Sequence, residues 1–404
     1  MAPKQTLGGI VPVRRTPAAS VVRYAMAGLV LLGAVTALLG VLLQPWFLKL
    51  GIDNARAGNC FLFLNLGILT GILTSKTAGT VVGPAVRTGF CVFAVLAAAG
   101  LLLAASQSTL WLLPSLYVVG LAAGILTRIV CLLLWCALTP GGALTILNLA
   151  GICFGAGAVA ICILAWATPG RPAAWLVTLA LASAILAVSA ARSRTFAYAQ
   201  DTAPPLKVTP ADWSHPIAFL LGFSLFFQAA GHWVIAGWMA LYLTRKFGVS
   251  VDIAFWGLAL YWMVHSGTCL LASNPQLVRY GVRTLSMATG VNLIGAAFLL
   301  QSATASGVMA GAALLGAGTG VVLPMTIGII TKRYPFYHPE FLNAVLAVYL
   351  VGGLLAPWLA GLLAPSFGVD VVIWFSMGSS LIVLLLLAVF FVEVRLMSRS
   401  VALE

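Results

Sequence analysis

The sequence predicts an all-α membrane protein of twelve transmembrane helices arranged as two related six-helix halves. Three observations predict it: an apolar composition, apolar runs of spanning length, and short patterns that recur about 196 residues apart. Of 404 residues, 62% are hydrophobic and only 7% charged, too few charges to cover a water-soluble protein of this size. A spanning helix needs about 20 mostly apolar residues. The chain supplies such runs at 24–49, 59–84, 89–106, 110–138, 142–167, 172–191, 216–243, 253–273, 284–302, 307–331, 341–365 and 370–393, separated by short loops rich in Gly, Pro or charge.

Residues 1–23 form a basic tail. The apolar run after it is long enough to span and lacks a small-residue cleavage site, so it reads as the first span and not as a signal peptide. Spans 1–6 occupy 24–191, a proline-containing polar linker follows at 192–215, spans 7–12 occupy 216–393, and a short tail covers 394–404. An even number of spans puts both termini on one side, and the positive-inside rule makes that side cytoplasmic. Lys4, Arg14, Arg15, Arg23, Arg87, Arg192, Arg194, Lys207, Arg279, Arg283, Lys332, Arg333, Arg395 and Arg399 then lie inside; only Lys49, Arg56, Arg171, Arg245 and Lys246 lie outside. The expected location is a cytoplasmic (inner) or plasma membrane. The net charge of +13 is largely this topology, which removes the reason to expect a nucleic-acid partner.

The repeat rests on three matches. LKLGI (Lys49, Gly51) recurs as RKFGV (Lys246, Gly248), VRTG (Arg87, Gly89) as VRYG (Arg279, Gly281), and VGLAAG (Gly120, Gly124) as LGAGTG (Gly316, Gly320). All three keep their order and fall at equivalent loops and spans. Two halves related by duplication place a solute site near the midplane between them, and the GxxxG patterns let neighbouring helices approach closely.

The seven cysteines have no paired ligand spacing, so we expect neither metal nor cofactor and read them as packing residues. Trp175, Trp213, Trp256 and Trp374 fall near span ends, where headgroup anchoring is expected. No nucleophile and base pairing appears in any loop, so an enzyme is not expected.

These features resemble the major facilitator superfamily, whose members have two six-helix bundles around a cavity that opens alternately to each side. Within it the chain is most similar to the fucose permease-like branch of sugar symporters, through GVLLQPW in span 1, NLAGICFGAGA in span 5, GHWVIAGWMALYL in span 7, GAGTGVVLPMTIG in span 10 and VGGLLAPWLAGLLA in span 11. The chain departs from the family in its acids. The loop GPAVRTG keeps Arg87 and Gly89 but lacks the acidic residue of the family signature. His232 stands early in span 7 where that branch has an acid, and span 4 has Ile125, with Arg128 one turn on, in place of a carboxylate.

No carboxylate falls deep in a predicted span, yet Arg128 falls centrally in span 4, Lys76 in span 2, and His232 and His265 in spans 7 and 8. A charge at the bilayer centre costs about 2.5–3.5 kcal/mol on insertion scales and is normally turned toward a wet cavity or a partner. We therefore expect Arg128 to anchor an anionic or strongly polar solute through its planar fork, or else to brace carbonyls of a neighbouring helix. Its counterpart in the repeat is Pro324. Lys76 is either a second solute contact or an interface anchor. His232, beside Trp233 and Trp238, is a solute contact, a packing histidine, or with His265 a coupling candidate, since imidazole exchanges a proton near neutral pH. By the resemblance, spans 1, 5 and 7 line the cavity, which adds Gln44, Asn148 and Gln228; Trp46, Trp238 and Trp262 are candidates to close on the solute.

The expected function is a secondary transporter for a small polar organic solute, anionic or zwitterionic, with Arg128 as central anchor. The alternatives are a proton-coupled sugar or polyol transporter, a flippase for a lipid with an anionic headgroup, and a membrane sensor that does not transport. Its partners are then the solute, membrane lipid and protons as candidate coupling ion, and the chain is expected to act as a monomer. A cationic drug exporter is disfavoured, because a positive cavity without an acid repels its cargo.

Overall fold

A computed structural model describes residues 19–74, 82–105, 109–137, 143–168, 171–192, 216–271, 274, 277, 280–333 and 339–401. The helices are α1 (Ala19–Leu50), α2 (Asn54–Thr74), α3 (Val82–Ala105), α4 (Thr109–Ala137), α5 (Ala143–Ala167), α6 (Pro172–Arg192), α7 (Pro216–Phe247), α8 (Val251–Leu271), α9 (Gly281–Gln301), α10 (Ala305–Gly320), α11 (Val322–Arg333), α12 (Pro339–Phe367) and α13 (Val371–Val401). Among the described residues ten segments are long and apolar enough to cross a membrane, and shorter apolar stretches, Val86–Val95 and Val177–Ala190, lie in α3 and α6. The protein is an integral, multi-pass membrane protein.

Span 10, expected as one helix, is broken. One apolar segment, Ala305–Ile329, contains both α10 and α11, with the break at Val321. The cause is Pro324: a helix would need its N–H to donate to the carbonyl of Gly320, and proline has none.

Glycines set the packing. A Cβ at Gly120 or Gly124 of α4 would collide with the carbonyl oxygens of Leu64 and Ile68 on α2, so the two backbones lie in contact. Gly316 and Gly320 of α10 bring the same closeness to the carbonyls of Tyr261 and His265 on α8. The matched GxxxG patterns therefore do the same work in both halves. A further correspondence was not in the sequence patterns: Gly157 of α5 sits on the Val30 carbonyl of α1, and Gly352 of α12 sits on the Phe226 carbonyl of α7. Gly51 and Gly248 end α1 and α7 with φ of 59° and 64°, the left-handed conformation that L side chains disfavour. Gly281 starts α9 against Ile329, whereas Gly89 stands about two turns inside α3 against Ile129.

Trp256 and Trp374 keep the exposure that headgroup anchoring requires. Trp175 does not: it is fully buried and its Nε1 donates to Thr168 Oγ1 at 2.8 Å, so this ring closes the turn between α5 and α6. Trp213 lies outside the described residues.

Candidate functional site

The C-terminal half holds a polar cluster built on two histidines. His232 is buried on α7, and its Nδ1 meets Tyr261 Oη of α8 at 2.5 Å. His265, one turn further along α8, places its Nδ1 2.9 Å from Thr319 Oγ1 of α10. Thr319 Oγ1 also lies 3.4 Å from Tyr261 Oη, which joins the two histidines into one hydrogen-bonded set. The imidazoles stack with centroids 5.0 Å apart. These atoms meet because Tyr261 and His265 sit four residues apart on one face of α8, while Gly316 and Gly320 hold α10 against that face.

Aromatic rings wall the cluster. Trp233 and Trp262 stand edge-on to His232 at 5.3 and 5.2 Å. Phe154 of α5 reaches across from the other half and meets them at 6.4 and 6.0 Å. Gln228 is buried one turn before His232, and Gln228 Nε2 and Trp262 Nε1 have no acceptor among the described residues. Asn148 is buried on α5, six residues before Phe154.

A second constellation lies at the end of the bundle away from the chain termini, where the halves join. Arg245 Nη1 of α7 donates to Asn54 Oδ1 of α2 at 2.9 Å, and its guanidinium sits 4.1 Å over the Phe47 ring of α1. Thr244 Oγ1 is 3.0 Å from Gln44 Oε1, and Trp358 Nε1 donates to Asn59 Oδ1 at 3.2 Å. Nearer mid-span, Asn65 Nδ2 is 3.5 Å from the Gly353 carbonyl. The α5–α8 seam reaches deepest, to Gly151 against Cys269. Gln44 therefore belongs to this far seal and is not beside His232. Trp238 joins it as well, donating to the Pro357 carbonyl at 3.1 Å with its ring 5.7 Å from Phe61. Trp46, two residues beyond Gln44, is buried in the same core.

Arg128 is half-buried on α4, one turn beyond Gly124, which meets Gly71 of α2. This is about 8 Å past the middle of α4, toward the side of the termini. Lys76 lies outside the described residues. The sequence reading missed Tyr261, Thr319 and the joining role of Arg245. The i, i+4 pair Tyr261 and His265 was a usable signal for the first.

Comparison with known proteins agrees with this architecture. Residues 221–402 match the sequence profile of the Major Facilitator Superfamily. No curated protein matches the chain by sequence. Among solved structures, a variant of the nucleoside transporter NupG is similar, with 14% identity over 92% of this chain and 100% of that one and a TM-score of 0.68. A bacterial homologue of the human lysosomal transporter Spinster is similar in its inward-facing, unoccupied conformation, with 14% identity, coverage of 96% and 98%, and a TM-score of 0.68. In its inward-facing, occupied conformation the values are 13%, 93% and 96%, and 0.63. At these identities the likeness is one of fold, and the chain has the major facilitator fold: two pseudo-symmetric six-helix bundles.

Proposed function

We propose that this protein is a secondary transporter that moves a small polar organic solute by alternating access, not an enzyme. The observation that carries the reading is the far seal: hydrogen bonds through Arg245, Gln44 and Trp358 close the halves at one end, while a buried polar cluster sits behind it. Rocking of one half against the other would break this seal and expose the cluster to the opposite side. The halves are taken as residues 24–191 and 216–393, with the termini and the linker 192–215 cytoplasmic.

We assign the solute to the anionic or zwitterionic class. Asp53, Asp252, Asp370 and Glu393 lie at or near helix ends, whereas Arg128 lies within a span, and Gln228 Nε2 and Trp262 Nε1 are buried donors that suit an acceptor-rich cargo. Arg128 acts as its electrostatic anchor from the side of the termini, with Asn148 along the same path. The alternative, a proton-coupled sugar or polyol transporter of the kind the fucose permease-like resemblance implies, is favoured by the aromatic rings of Trp233 and Trp262 around His232.

Thermal unfolding of the detergent-purified protein against carboxylates, phosphates, neutral sugars and organic cations separates the two, because a ligand that binds only the folded state raises its stability. Stabilisation by anions that disappears in Arg128→Gln supports the anion reading. Stabilisation by sugars alone transfers the conclusion to the alternative.

A further inference from the structure

We infer that His232, Tyr261, Thr319 and His265 form a site for one shared proton, and that this proton is the coupling ion. The second clause rests on the transport reading above; the first stands without it. The warrant is a count of hydrogens. With both imidazoles neutral, the Tyr261 hydroxyl donates to His232 Nδ1 across 2.5 Å. Thr319 has a single hydroxyl hydrogen, directed at the carbonyls of Leu315 and Gly316, each 3.1 Å away, so its oxygen accepts from His265 Nδ1–H at 2.9 Å. The hydrogens on Tyr261 Oη, His265 Nδ1 and Thr319 Oγ1 then each have an acceptor within the set or on the α10 backbone.

A proton arriving from water adds to His232 Nδ1. That nitrogen becomes a donor and must give its hydrogen to the Tyr261 oxygen. The Tyr261 hydrogen then turns to Thr319 Oγ1, which lies 3.4 Å away and has a second lone pair open. Thr319 now accepts twice and donates once, the full capacity of a hydroxyl. The charged state therefore keeps a partner for His232 Nδ1–H, Tyr261 Oη–H and Thr319 Oγ1–H after a single hydroxyl rotation and with no helix displaced. A second proton is opposed, because it would place two imidazolium rings 5.0 Å apart in an apolar surround.

Among the described residues, the other titratable side chains nearby are Tyr349 of α12, beside Tyr261, and Cys269 of α8, beside Tyr349. Phe154 faces the cluster from α5 and Thr319 from α10. Arg245, Lys246 and Asp252 lie at the far ends of α7 and α8, and no Asp, Glu, Lys or Arg of these helices stands at the depth of His232.

The test follows the ring resonances of the four histidines (His215, His232, His265 and His338) in full-length, histidine-labelled protein in micelles, each assigned by its loss in a His→Asn variant. Between about pH 8 and pH 5 the pair is expected to take up one proton in total. Thr319→Val removes the second acceptor at constant shape, so His232 should lose its response while Thr319→Ser keeps it. If Thr319→Val does not fold, Tyr261→Phe removes the same relay and should have the same effect. Uptake of two protons, of none, or an unchanged titration in the folded variant overturns the site. A proteoliposome flux assay keeps the two readings apart. Solute flux indifferent to a pH gradient leaves the transporter standing and overturns the coupling role. One-proton titration in a protein that moves no solute keeps the site and overturns the transport reading.

Discussion

The thiol of Cys269 on α8 donates to the carbonyl of Gly320 on α10, 3.1 Å away, the carbonyl that Pro324 leaves without its helical donor. A helix break inside a membrane must be satisfied from a neighbour, because lipid offers no hydrogen bond. Cys269→Ala should therefore cost about 1 kcal/mol, whereas Cys269→Ser should be close to neutral. Pro324→Ala returns an N–H to Gly320, so the double variant should recover much of the loss. Thermal unfolding of the four proteins measures this coupling, and strictly additive effects would show that the thiol does not serve the break.

The two GxxxG contacts should fail alike. Gly124→Val and Gly320→Val each drive a side chain into a backbone carbonyl of the neighbouring helix, where neither partner can yield. We expect at least 1–3 kcal/mol of destabilisation for each, on the order found for overpacked cores, and loss of monodisperse protein on size exclusion. Gly290→Ala on α9 is the control: nothing lies within 4 Å of its Cβ, and the variant should be as stable as the parent or slightly more so.

Gly51→Ala and Gly248→Ala test backbone strain without contact. Open space surrounds both Cβ positions, so the cost is that of a left-handed residue, roughly 1 kcal/mol each. Equal shifts in melting temperature are expected, since the residues close equivalent helices. A neutral effect at either would mean that its loop relaxes into another turn.

Arg245→Ala removes a charged hydrogen bond and a cation–π contact from the far seal. Together these are worth about 1–2 kcal/mol, enough to raise the open population roughly 5- to 30-fold if that population is small. Amide hydrogen exchange in residues 51–57 and 244–250 should quicken accordingly, with α9, remote from the seal, unchanged. Uniform quickening would indicate general destabilisation and not opening at this end.

Hydropathy made the spans legible because lipid admits few alternatives to an apolar helix, and the glycine patterns made the repeat legible because close backbone approach tolerates no side chain. The break at Val321 was legible in Pro324 but was passed over inside a continuous apolar run. The site was less accessible. His232 and His265 stood out as polar residues in spans, but Thr319 resembled any helix threonine, since its importance comes from α10 docking on α8. Gln44, Trp46 and Trp238 share helices with cavity candidates, yet their depth places them in the seal, and depth along a helix is weakly encoded by composition.

The seal through Arg245, Gln44, Asn59 and Asn65 is made of side chains that each hold the halves by about 1 kcal/mol, not of one interlocked core. Contacts of that size, distributed along several helices, can be released one after another. Separation of the halves is then a sequence of small barriers, and it belongs to the microsecond-to-millisecond range of collective domain motions, not to the far slower range of local unfolding. The rate of cycling is in that case set by how many of these links persist at once, and trimming them singly should tune turnover in increments without abolishing it.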